Sequence, residues 1–327
     1  MTLSSSARRS FHIVSVGECM MELSGQALGP DLSPLKQGFG GDAFNTGYYI
    51  ARLSPSDWKI SFASAVGKDD LSGRLLAHWI QAGISVDLVR KIEGRTVALY
   101  LVETDAEGER HFTFWRSQSA ARCYFDVTET PLETSAKGTA DQVDILYFTG
   151  ITLAILNESA RERLFSVAGE VRSRGGLVMF DNNYRPSLWK DVNDARSWIF
   201  RAIAQADTAF ITLDDHMALS ETGQQVNQSD AIQHVVSIGA RHTVIKRGRH
   251  PALAFEGEHL RAEVPVQEVS RVVDTTAAGD SFAAGYILAF GHGHDFATRL
   301  RWGNRLAANV IQHPGAIVPV DRDLLIR

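Results

Sequence analysis

The chain has 327 residues, enough for one large domain with an appendage or for two ordinary ones. Its 44% hydrophobic and 22% charged residues are ordinary for a soluble globular protein. A net charge of −5 gives no electrostatic footprint for nucleic acid or an anionic membrane, although a few local arginines suffice to hold a small anion. No uncharged apolar run approaches the roughly 18 residues that span a bilayer. Cys19 and Cys123 could form one disulfide, but nothing else suggests secretion, so a reduced, cytoplasmic setting is expected. Met1–Ser10 is polar, with Arg8 and Arg9 and no signal-peptide core, and reads as a frayed tail.

In chain order, His12–Val16 reads as a strand, and Met20–Leu23 continues as a second. The Gly-rich stretch Gly38 to Asp42 leads into a helix near Ala43–Leu53. A strand at Ile60–Val66 and an amphipathic helix at Leu71–Ala82 follow. Val97–Val102, the turn-prone Asp105 to Gly108, and His111–Trp115 read as a β-hairpin, which in an otherwise alternating chain marks a small β subdomain. Strands at Asp144–Phe148, Leu177–Asp181, Thr208–Thr212 and His242–Lys246 then alternate with helices at Glu158–Arg174, Asp194–Gln205 and Ser229–Gly239. Two long helices, Ala277–Phe290 and Asp295–Gln312, close the chain. Short apolar strands alternating with helices predict a mostly parallel sheet covered on both faces, with ligands at the carboxyl ends of its strands.

The strongest motif is Asp274-Thr275-Thr276-Ala277-Ala278-Gly279-Asp280, followed by an apolar helix. Small residues let the backbone approach a ligand, and free N–H groups at the helix start attract an anion. Asp280, in the first turn, can take the proton of an attacking hydroxyl, the pairing that phosphoryl transfer needs. Read alone, it is equally an acid favoured there by the helix dipole. The segment resembles the C-terminal signature of the pfkB (ribokinase-like) sugar kinases. The resemblance implies that Asp280 is the catalytic base, and that Ala277, Ala278 and Gly279 form the anion hole. That family often has Gly where this chain has Ala277.

Gly38-x-Gly40-x-x-Ala43 mimics a dinucleotide fingerprint, but Leu35-Lys36-Gln37 is a poor buried strand and no acid follows at the right distance. Gly40, Gly41, Asp42 and Asn45 instead resemble the family's sugar-contacting element, with Gly47 where Ser, Thr or Ala is usual; Asn45 also reads as a helix-start residue. No Walker A sequence is present. The resemblance lays Lys246 and Gly248, which end a strand, against the nucleotide, together with Asn183 and Asn304. Asp181-Asn182-Asn183-Tyr184-Arg185-Pro186 resembles the family's substrate- and nucleotide-side loop. Arg185 is suited to grip a carboxylate or phosphate. Thr212-Leu213-Asp214-Asp215 occupies the place of a magnesium-organising element, which implies Mg²⁺ near Asp215. A monovalent cation such as K⁺ near Asp274 and Thr276 is implied by resemblance only. Gly291-His292-Gly293-His294 has no matching metal ligands near it and reads as a solvent loop. Arg299, Arg301 and Arg305 read as a solvated helix face.

The resemblance spans nearly the whole chain. It implies a three-layer α/β/α ribokinase-like core, about 1–18, 41–93 and 121–327, with a β lid at about 19–40 and 94–120. Gly17 to Leu23, Phe39 to Asp42, Gly150 to Leu156, Phe180 to Trp189 and Asp274 to Phe282 resemble in particular the family's 2-dehydro-3-deoxygluconokinases. That implies ATP and a sugar acid as substrates, with Tyr100 on the acceptor from the lid and Arg116 or Arg185 on its carboxylate. Phe114 stands where relatives place a Tyr, two residues before the lid Arg, and Arg116 also reads as an exposed hairpin residue. A neutral ketose such as fructose as acceptor, or a silent sugar-binding regulator, are the competing expectations. Lid edges that pair between subunits would give a homo-oligomer.

Overall fold

The computed structural model describes residues 10–26, 34–104, 110–138, 142–219 and 227–325. The expected tail, apart from Ser10, and the turn at Asp105–Gly108 lie outside them. The strands are β1 (His12–Val16), β2 (Met20–Gln26), β3 (Lys36–Gly40), β4 (Lys59–Gly67), β5 (Val89–Ile92), β6 (Ala98–Thr104), β7 (Arg110–Trp115), β8 (Ile145–Thr149), β9 (Leu177–Asp181), β10 (Thr208–Thr212), β11 (His242–Arg247), β12 (His250–Glu256) and β13 (His259–Val264). The helices are α1 (Asp42–Leu53), α2 (Asp70–Gln81), α3 (Pro131–Lys137), α4 (Gly150–Ile155), α5 (Glu158–Ser173), α6 (Val192–Gln205), α7 (Leu213–Ala218), α8 (Gln228–Ser237), α9 (Ala278–Gly291) and α10 (Phe296–Val310).

Nine strands form one sheet in the order β13-β12-β11-β10-β9-β8-β1-β4-β5. It is parallel from β11 to β5, and an antiparallel ribbon, β12–β13, extends one edge. The central strands are buried on both faces, and their side chains alternate between two cores. Ile13, Tyr147, Met179 and Phe210 pack with α1, α2, α9 and α10, while Val14, Leu146, Val178 and Ala209 pack with α4, α5, α6 and α8. Side-chain caps set the helix starts: Asp69, Asn157, Asp191 and Asp295 each accept a backbone N–H from the first turn of α2, α5, α6 and α10.

Helix α9 is apolar almost all round and lies deep in the second core. It meets α10 closely because a Cβ on Gly285 would come within 2.5 Å of the Trp302 carbonyl oxygen, and one on Gly303 within 2.9 Å of the Phe282 ring. That packing fixes the start of α9 against the strand ends.

A second, four-stranded sheet, β3-β2-β6-β7, stands apart from the first. Leu35–Gln37 is a poor buried strand, as its sequence says. Lys36 and Gln37 instead open β3, an edge strand of the small sheet on which both are exposed. Phe112, Phe114 and Trp115 on the other edge strand are 44%, 49% and 55% exposed. Cys19 and Cys123 are both free thiols. His292, expected in a solvent loop, is exposed and stacks on Trp58 at 5.5 Å. Among the described residues, no helix is long and apolar enough to cross a membrane.

Candidate active site

The carboxyl ends of β8, β9, β10 and β11 carry Thr149, Asp181, Thr212 and Lys246, and the starts of α1 and α9 point into the same space. Asp280 is the third residue of α9 and is 8% exposed. Asn45, from α1, donates through Nδ2 to Asp280 Oδ2 at 2.8 Å, and its own Oδ1 accepts the Gly41 N–H at 3.2 Å. The Thr46 hydroxyl donates to the Asp280 carbonyl at 3.1 Å. Asn45 therefore joins the glycine pair to the acid, 235 residues apart in sequence, and does more than start a helix.

Burial pushes the Asp280 carboxyl up to about 7, and the charges of Asp42 and Asp181 push the same way; the Asn45 hydrogen bond and Lys246 oppose them. An acid that titrates near neutrality inside a cleft is suited to proton abstraction. Beside it, Ala277 adopts a left-handed conformation, φ 60°, ψ 13°, which turns the backbone into α9. A side chain is disfavoured there, the physical reason for glycine at the matching family position. Among the described residues, the N–H groups of Gly279 and Asp280 find no acceptor, as an anion hole requires, whereas the Ala278 N–H donates to the Thr275 carbonyl at 3.2 Å.

Lys246 donates to Asp181 Oδ2 at 2.7 Å, and a Cβ on Gly279 would lie 3.1 Å from its Nζ. The lysine thus reaches the start of α9 from β11. Gly248 supplies the turn into β12 at φ 58°. Asp181 is 1% exposed, and among the described residues its Oδ1 has no hydrogen-bond partner; burial raises its pKa against the pull of Lys246. Asp42 accepts from Asn183 Nδ2 at 3.1 Å and from the Thr149 hydroxyl. Asn183, expected on the nucleotide, thus ties its loop to the start of α1, and its φ of 22° bends that loop sharply. The Asn304 side chain donates to the Pro265 carbonyl at 2.8 Å, pinning α10 to the chain that leaves β13.

The lid side brings Tyr100, Phe114 and Arg116 together. The Tyr100 hydroxyl donates to Glu22, and its ring stacks on Phe114 at 5.9 Å. A Cβ on Gly40 would come within 3.5 Å of the Tyr100 hydroxyl, so the lid tyrosine overlies the glycine pair. Arg116 is largely buried, not an exposed hairpin residue, and lies 2.6 Å from Glu18. Arg185 is half exposed and donates to Asp215 at 3.2 Å and to the Tyr184 carbonyl at 2.7 Å. Burial raises the Asp215 carboxyl, and the Arg185 and Lys246 charges pull it down. Asp274 accepts the Thr276 N–H at 2.8 Å and the Gly315 N–H at 2.9 Å, so that carboxylate fixes the loop before α9.

Asp181, Thr149, Glu18 and Glu22 are site residues that local sequence reasoning leaves without a role. The acid ending a buried apolar strand was the available signal for Asp181.

The model of the pfkB family of carbohydrate kinases matches residues 10–323. The chain is 39% identical over 314 residues to a 2-dehydro-3-deoxygluconokinase of Dickeya dadantii, covering 95% of this chain and 97% of that protein. It is 40% identical to the Escherichia coli enzyme of the same name, covering 94% and 97%. A solved 2-dehydro-3-deoxygluconokinase from Thermotoga maritima superposes with a TM-score of 0.79 at 18% identity, covering 98% of each chain, which speaks to the fold. With the family model matched over residues 10–323 and relatives near 40% identity over almost the full length, the chain belongs to the pfkB carbohydrate kinases.

Proposed function

We propose that the chain transfers the γ-phosphoryl group of ATP to the O6 hydroxyl of 2-dehydro-3-deoxy-D-gluconate, giving ADP and the 6-phosphate. The observation that carries this reading is Asp280: buried, pushed up to about 7, held by Asn45, and set beside the two free N–H groups that open α9. Asp280 takes the proton of the O6 hydroxyl as that oxygen attacks phosphorus, and the bond to the ADP oxygen breaks. The N–H groups of Gly279 and Asp280 and the Lys246 ammonium stabilise the charge on the phosphoryl oxygens. Asp215 and the unpartnered Oδ1 of Asp181 are hard oxygen donors that suit Mg²⁺. When bound, the ion neutralises phosphate charge. Gly40, Gly41, Asp42, Asn45 and Tyr100 hold the sugar, and Arg116 or Arg185 holds its carboxylate.

One observation favours a second reading, a neutral ketose as acceptor: both arginines already face a carboxylate, Arg116 with Glu18 and Arg185 with Asp215. A coupled ADP-release assay with Mg-ATP separates the two, comparing 2-dehydro-3-deoxygluconate, gluconate, fructose and ribose at equal concentration, with Asp280→Asn as control. Preference for the sugar acid, lost in the variant, is expected. Preference for fructose would transfer the acceptor assignment to the ketose and leave the base in place, and sugar binding with no turnover would turn the protein into a regulator.

A further inference from the structure

We infer that Glu18 is a positioning residue for acceptor recognition, acting through Arg116; the inference rests on the reading of Arg116 as the grip on the acceptor's carboxylate. Glu18 follows β1 and is 2% exposed. A buried carboxylate is costly unless it is paired, and this one is paired with the lid. Its Oε2 lies 2.6 Å from Arg116 Nη2, and its Oε1 accepts the Ser119 hydroxyl. Its backbone carbonyl presses on Gly41, where an added Cβ would overlap it.

The chain passes between the large sheet and the small one at four places: after β1, before α1, after β5 and after β7. Glu18 sits on the first, touches the second through Gly41, and touches the fourth through Arg116 and Ser119. The third joins it at one remove, because the Ala120 N–H donates to the Thr96 carbonyl at 2.9 Å and Thr96 bridges to Ser119. Glu18 is thus the side chain around which all four crossings gather.

Arg116 is fixed without being used up. Its Nη2 lies against Glu18, and among the described residues Nε, Nη2 and Glu18 Oε2 are buried with no aligned hydrogen bond. Nη1 is not among those buried atoms, and a guanidinium carries fixed donors on more than one edge, so the Nη1 donors are the ones a second, planar anion would meet. The group also lies 6.0 Å over the Phe114 ring, which stacks on Tyr100 above the glycine pair. Glu18 itself repels an acid by its charge, so its influence on the acceptor runs through the arginine.

The test is steady-state kinetics of the full chain with 2-dehydro-3-deoxygluconate varied at saturating Mg-ATP. Glu18→Ala is expected to raise KM by about 10-fold or more with kcat within about 3-fold, because it loosens binding and leaves the base alone. Glu18→Gln, whose amide oxygen still accepts from the guanidinium, is expected to recover most of that loss. In an Arg116→Leu background, Glu18→Ala should add no further change, because the two act as one unit. A fall in kcat at constant KM, or full additivity with Arg116→Leu, overturns the inference. Should Glu18→Ala fail to fold, Ser119→Ala, which removes only the hydrogen bond orienting Glu18, is expected to raise KM by about 2- to 5-fold, and an unchanged KM overturns it equally. Failure of the underlying acceptor reading shows separately, as a preference of the unmutated chain for a neutral ketose.

Discussion

Asp280→Asn should cut turnover by orders of magnitude and stabilise the fold, and the stabilisation should depend on pH. In the folded chain the carboxyl is pushed up to about 7 from an ordinary value of 3.8. Between those values the native state holds a proton that the unfolded chain releases, so stability falls as pH rises from about 4 to about 7. The penalty is absent below about 4 and complete above about 7. Three units at about 1.4 kcal/mol each give an upper bound near 4 kcal/mol. Asp42 and Asp181 share the repulsion and relax when the charge is removed, so about 1–3 kcal/mol is the working figure. Asparagine keeps the shape, and its amide oxygen still accepts from Asn45 Nδ2. Urea denaturation of both proteins at pH 5 and pH 8, without ligands, reads the difference. The variant should gain more over the parent at pH 8 than at pH 5, while turnover falls by about 10²- to 10⁴-fold. A variant no more stable than the parent at pH 8, or a gain that does not change with pH, would refute the argument that Asp280 is a destabilised buried acid.

For the parent, kcat/KM should rise with pH through about 7, the value to which the base is pushed, and a flat profile from pH 5 to 9 would remove Asp280 as the titrating group. Asn45→Leu removes the hydrogen bond that favours the charged form, so the rising limb should move to higher pH; a limb that stays in place would show that the contact does not tune the base. Gly41→Ala would drive a Cβ into the Glu18 carbonyl and should lower stability by about 1–3 kcal/mol in urea melts, whereas Gly73→Ala, with open space around it, should not destabilise α2. Ala277→Gly relieves a left-handed alanine and should stabilise by about 0.5–1 kcal/mol, read as a higher midpoint at unchanged slope.

Much of the large sheet was readable because its strands are short, apolar and buried on both faces, which leaves β1, β8, β9 and β10 with one interpretation each. The edge ribbon β12–β13 was not, because β13 is mostly exposed, with His259 and Arg261 facing solvent, so no apolar alternation marks it. Helix α3 was missed although Thr130, Pro131 and Glu133 spell a capping box with proline in the first turn, a signal that could have found it. Helices α4 and α7, at six residues each, are too short for periodicity to register. For the site, the residues alone left Asp280, Asn45 and Lys246 with a bland reading each; the family resemblance singled them out, and the structure gathers them near the start of α9. The state of Arg116 and Arg185 was not legible, because each is decided by an acid distant in sequence, Glu18 for one and Asp215 for the other.

Those two pairings raise opposite physical problems. Arg185 and Asp215 meet at a half-exposed position, where solvent screens the pair and side-chain entropy offsets most of its gain, so the contact is weak and either partner is free to turn to a ligand. Glu18 and Arg116 meet almost out of solvent, where removing one partner strands a buried charge and costs about 3–5 kcal/mol. The buried pair therefore persists whether or not anything binds, and an anion reaching Arg116 has to use the Nη1 side, because Nε and Nη2 are buried. Selectivity from such an arrangement comes from direction more than from net charge: a planar carboxylate placed on the open edge of the guanidinium gains, and one displaced toward Glu18 meets its repulsion. Under the proposed function, Arg116 is thus the arginine whose geometry would distinguish acceptors, and Arg185 the one whose loss a surface change would absorb.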